Sequence, residues 1–193
     1  MNEPTTAVIA CHFINDIMGA HGALAAYFRN EIESREVISH AEQLIEGARD
    51  RGWPIVWTAV GFRPDGADLD INIPLLAMVH ELGCLQWGSP GTDFLPELTP
   101  RKHDYVIRNA KVSGFAASPL DALLRSLGVQ RVILAGVATN ITIESTGRAA
   151  GDLGYAVIIA EDACSAADQA AHEASIATFA LLGATHTVSQ ILS

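Results

Sequence analysis

Three side chains have types suited to joint chemistry: His12, Asn109 and Thr142. A histidine titrates near neutral pH, so it can take up or release a proton during a reaction. A threonine hydroxyl becomes a nucleophile only when a base removes its proton. A carboxamide offers N–H donors to an oxygen on which negative charge develops. The three lie far apart in sequence, so only the fold can gather them. Each also has a plainer reading: a histidine bonded to a carbonyl at a strand end, an asparagine in a turn, a threonine bonded to the backbone behind it in a helix.

The elements that must position them follow from periodicity. Thr6–Cys11 reads as a buried strand, and 34–51 as a helix with Val37, Ile38, Ala41, Leu44, Ile45 and Ala48 on one face and Gly52 as its stop. Strands follow at 54–60, 105–108, 131–136, 155–160 and 185–188. Helices read at 118–127, opened by Ser118-Pro119 and ended by Gly128, at 141–153 and at 168–182. This alternation, with near-continuous apolar strands, predicts a mostly parallel sheet of five or six strands. The implied architecture is an α/β, doubly wound, Rossmann-like three-layer sandwich. Residues 1–193 read as one domain, with an irregular excursion at about 61–103 that caps the site or builds an oligomer contact. Ligands in such folds bind beyond the carboxyl ends of the strands. His12, Asn109 and Thr142 all fall there, as do 58–62.

Composition narrows the partners. Hydrophobic residues are 49% and charged ones 18%, enough apolar surface for a large core. A net charge of −10 argues against nucleic acid and anionic membrane surfaces, and no apolar run is long enough to span a bilayer. A small-molecule substrate is the expected partner. The N-terminal residues lack a basic region followed by a long apolar one. Cys11, Cys84 and Cys164 are odd in number and scattered, which fits reduced thiols and a cytoplasmic location. No G-x-G-x-x-G follows the first strand, so a dinucleotide site is not expected, and no cofactor is called for.

The stretch Gly136-Val137-Ala138-Thr139-Asn140-Ile141-Thr142-Ile143-Glu144-Ser145-Thr146 resembles the nucleophile loop G-V-x-T-x-x-C-V-x-x-T of the isochorismatase-like cysteine hydrolases. Trp87 to Leu98 is similar to the family's W-x-x-G-T-P-G…P-E-L, and Asp104 to Phe115 to its D-x-V-V-x-K-x-x-Y-S-A-F. Gly154-Tyr155-Ala156-Val157 through Ala163, and His172-Glu173-Ala174, complete a likeness that runs through nearly the whole chain. The resemblance implies an Asp-Lys-Cys triad, an oxyanion site in loop amides, and a cis peptide, here at Val137–Ala138. In that register, however, the base position is His12, the lysine position Asn109 and the cysteine position Thr142, so all three triad positions read as substituted. Lys111, two residues beyond Asn109, could reach the pocket from an extended segment. Asp16 stands a step beyond the base position. The family's metal-bearing branch has a D-x-H pattern after strand two, where Thr58-Ala59-Val60-Gly61-Phe62 has no such ligands, so no metal is expected.

Two functions are consistent with these residues. One is a hydrolase, or related acid/base catalyst, with a rebuilt site acting on a small carboxylate, amide or enol ether. His12 would activate water or Thr142, Asn109 would donate to a substrate oxygen, and Phe13, Ile17, Trp87, Lys111, Phe115, Val137 and Ala138 would bind substrate. The other is a catalytically inactive relative that binds a metabolite or a partner. The resemblance also implies a homodimer or homotetramer.

Overall fold

Among the described residues six strands, all parallel, form one sheet in the order β3-β2-β1-β4-β5-β6. They are β1 (Thr6–Cys11), β2 (Ile55–Val60), β3 (Tyr105–Asn109), β4 (Arg131–Val137), β5 (Ala156–Ser165) and β6 (Ala184–His186). The structure, a computed structural model, describes residues 5–193. Residues 1–4, which contribute to the reading of the N-terminus, lie outside the described residues.

The helices are α1 (Asn15–Met18), α2 (Arg29–Ser34), α3 (Val37–Asp50), α4 (Pro74–Leu82), α5 (Leu120–Ser126), α6 (Glu144–Asp152), α7 (Gln169–Phe179) and α8 (Val188–Leu192). β1 and β2 are buried at every residue, which is why they read as unbroken apolar runs. One face of the sheet packs Trp57, Ile133 and Ala135 with Val37, Leu44 and Ile45 of α3. The other packs Val56, Ile107 and Leu134 with Leu120 and Leu124 of α5 and Phe179 of α7. Strand order reverses between β1 and β4, and the crevice at their carboxyl ends is the usual ligand position in such sheets.

Several boundaries differ from the periodicity. The helix read as starting at 34 starts at Val37, because Glu36 takes a left-handed conformation (φ 50°) and separates α3 from α2. β5 runs five residues past Ala160 to Ser165, across a register shift opposite Leu134/Gly136. The closing strand is short. Thr187 and Gln190 then form a capping box that starts α8. The excursion is more ordered than its composition implied. It holds α4, and it is joined to the end of β2 by Phe62 N–H to Leu85 O and Trp87 N–H to Phe62 O. Among the described residues no helix is long and apolar enough to cross a membrane.

Candidate active site

The helix after β4 begins with a π turn, Thr139–Ile143, in which Ile143 N–H reaches back five residues to Ala138 O. The peptide entering it, Val137–Ala138, is cis. This turn carries two buried threonines toward two buried histidines. Thr142 Oγ1 lies 3.3 Å from His12 Nδ1, and Thr139 Oγ1 lies 2.9 Å from His172 Nδ1 on α7.

His12 is the first residue beyond β1. It takes a left-handed conformation (φ 62°), and its N–H bonds Thr58 O on β2. That turn ends the strand direction and aims the ring across the switch point at Thr142. Both side chains are buried, and His12 Nε2 has no hydrogen-bond partner. Burial pushes the His12 pKa down to about 4, partly opposed by the Val137 backbone. His172 is also lowered to about 4, chiefly by burial and secondarily by Arg35.

These shifts have a consequence for stability. A histidine held neutral by the fold binds its proton more readily when unfolded. Stability is therefore fully present above the unfolded value near 6.5 and is lost as pH falls toward 4. The loss should be roughly 2–3 kcal/mol per histidine. Urea titrations at several pH values should show it, and a His12→Phe/His172→Phe double variant should flatten the profile. An unchanged slope in that variant would exclude these residues as the source.

A pocket of about 70 Å³ opens beside this pair. His12, Ile17, Val137, Ala138 and Thr142 line it, with Leu24, Phe28, Val60, Phe62, Leu85, Val112 and Ile141. Leu75, Leu76 and Val79 of α4 also line it. Sequence reading did not single out the α4 residues. Their signal was present in Pro74, a good first helical residue, with Leu75, Leu76 and Val79 at helical spacing after it.

The other candidate residues lie elsewhere. Asn109 is buried at the end of β3, and its Nδ2 donates to Lys111 O (2.6 Å) and Ser113 O (3.2 Å). Both donor hydrogens thus tie down the loop that carries Val112, and Oδ1 is left unpartnered. Lys111 points away and pairs with Asp70. Phe13 is in the core against Trp57, Trp87 lies under Arg108, and Phe115 stacks on Tyr155. Asp16 accepts from Leu85 N–H at 2.7 Å, which pins the excursion rather than entering the pocket.

None of the cysteines offers a thiolate. Burial raises Cys11 to about 12 and Cys84 to about 11, and lifts Cys164 further still. None of them lines the pocket. Iodoacetamide near neutral pH should alkylate the native protein no faster than it unfolds. Rapid alkylation of one equivalent would overturn this. Among the described residues, no group of three or more His, Cys, Asp or Glu side chains is placed to hold a metal ion.

The isochorismatase domain model matches residues 6–190. The isochorismatase family protein YwoC of Bacillus subtilis is 31% identical over 161 residues, covering 83% of this chain and 84% of its own length. The ureidoacrylate amidohydrolase RutB of Klebsiella pneumoniae is 31% identical over 144 residues, which span 67% of this chain and 60% of RutB. The N-carbamoylsarcosine amidase of Thermoplasma acidophilum superposes with a TM-score of 0.76 at 25% identity, covering 95% of this chain and 96% of the amidase.

Proposed function

This chain belongs to the isochorismatase family, and we propose that it is a hydrolase of that family with its triad positions rebuilt as His12, Asn109 and Thr142. The contact between Thr142 Oγ1 and His12 Nδ1 at 3.3 Å carries the reading, because it is a hydroxyl within reach of a base at the wall of a pocket. The relatives whose names state a reaction are an amidohydrolase and an amidase, so the bond cleaved is an amide or a closely related acyl bond.

In this reading Thr142 Oγ1 attacks the acyl carbon while His12 Nδ1 takes its proton. Backbone N–H groups in the first turn of the helix after β4 face the developing oxyanion. His12 returns the proton to the departing nitrogen, and water then hydrolyses the Thr142 ester with His12 as base again. Asn109 is a positioning residue that fixes the loop bearing Val112, and His172 holds the π turn through Thr139. The same burial that keeps His12 neutral lowers its proton affinity. Rates should therefore fall below those of a base poised near 7, and kcat/KM should drop on the acid side through a pKa of about 4.

The test is an activated acyl ester, p-nitrophenyl acetate, followed by intact-mass analysis of the quenched protein. An acetyl adduct mapped to Thr142 is the expected result. Product release without an adduct would move the nucleophile to a water on His12. Absence of both product and adduct, across esters and amides, would overturn the hydrolase reading and leave a metabolite-binding relative.

A further inference from the structure

We infer that the pocket takes an uncharged acyl compound with a compact apolar body and one hydrogen-bonding head, and that it rejects the corresponding carboxylate. This rests on the pocket beside His12 and Thr142 being the substrate site. It narrows the substrate class more sharply than the family fold does.

Among the described residues fifteen line the pocket, and of these His12 and Thr142 alone have polar side chains. The walls are aliphatic and aromatic, with Ile17, Phe28, Phe62, Leu76, Val79 and Leu85 contributed from five separate segments. Mostly apolar pockets are common. A pocket with no charged side chain in its lining, in a chain of net charge −10, is a stronger statement. The cations adjacent in sequence to lining residues are committed elsewhere, Arg29 to Ala20 O, Arg63 to Asp65 and Lys111 to Asp70, and Arg108 lies over the face of Trp87 at 5.0 Å. His12 contributes no positive charge near neutral pH. A carboxylate entering this pocket would shed its water and meet no cation, which is the costly way to bury an ion.

The polar atoms set the other half of the specificity. Thr142 Oγ1 and His12 Nδ1 face each other, while His12 Nε2 is buried without a partner. With the Thr142–His12 pair as its one polar feature, the lining asks for one polar group on the ligand, with the rest of that ligand apolar.

An isosteric pair separates charge from shape. Benzamide and benzoate, and isovaleramide and isovalerate, should be titrated calorimetrically into the wild-type protein and into Thr142→Ala, with product assayed in parallel. Each amide should bind at least a hundredfold more tightly than its acid. Leu76→Arg, which places a cation in the wall, should narrow or reverse that ratio. Acids binding as tightly as amides to the wild-type protein would overturn the inference, and so would failure of both amides to saturate it. The two readings remain separable. Amides that bind selectively but are never hydrolysed would sink the catalytic proposal alone. Turnover with equal affinity for the acids would sink the specificity alone.

Discussion

Thr142→Ala should lower kcat/KM by at least about a thousandfold on any substrate the protein hydrolyses, while leaving it folded. Removing a covalent nucleophile costs that much or more, because the remaining groups have nothing to activate. Stability should change far less. The hydroxyl sits 3.3 Å from His12 Nδ1, and its loss leaves that nitrogen without a partner in the core, a cost of about 1–3 kcal/mol. Thr142→Ser keeps the hydroxyl and removes one methyl, so it should retain activity within roughly tenfold. His12→Ala should be as inactive as Thr142→Ala, and the double variant should be no worse than either, since the pair acts as one unit. Steady-state kinetics on the three variants, with thermal melts of each, would decide the matter. Thr142→Ala retaining more than about a tenth of wild-type kcat/KM would mean that the hydroxyl is not the nucleophile. The scheme would then survive only with a water held by His12.

The sheet was legible in the sequence because its strands are buried on both faces. Val8, Ile9 and Ala10, or Ile133, Leu134 and Ala135, leave no polar position to blur the pattern. Placing candidate residues after strand ends then brought His12 and Thr142 to one crevice. The pocket wall was not legible in the same way. Phe28, Phe62, Leu76 and Leu85 are apolar residues in irregular or short elements, and nothing local separates an apolar side chain that lines a pocket from one that fills the core. Phe13 and Trp87 show the converse: both are aromatic and near the site in sequence, yet one is packed on Trp57 and the other lies beneath Arg108. Asn109 was legible as a candidate at a strand end, but its burial and its partners depend on the path of the following loop. The break at Glu36 was hidden too, because a left-handed glutamate has no composition signal.

Gly136→Ala should be the most damaging small substitution near the site. Gly136 lies in β4 opposite Cys11 of β1, with φ 134°, a region that side-chain-bearing residues rarely adopt. A methyl there would stand 2.0 Å from the carbonyl oxygen of Cys11 and 2.8 Å from its carbonyl carbon. Both are backbone atoms, so no rotamer change relieves the contact. β1 and β4 must instead move apart where the sheet order reverses. The expected loss exceeds about 4 kcal/mol, or folded protein is not recovered. Gly151→Ala provides a control of opposite sign, since that glycine is in α6 and an added Cβ meets nothing within 4 Å. It should stabilise by roughly 0.5–1 kcal/mol through helix propensity and a less flexible unfolded chain. Urea denaturation of the pair is decisive: a Gly136→Ala loss under about 1 kcal/mol would show that the strand ends can yield. The functional consequence follows from the same geometry. His12 follows the end of β1 and Thr142 lies in the turn after β4, so the separation that admits the methyl also separates base from hydroxyl. Any Gly136→Ala protein that does fold should therefore lose activity along with stability.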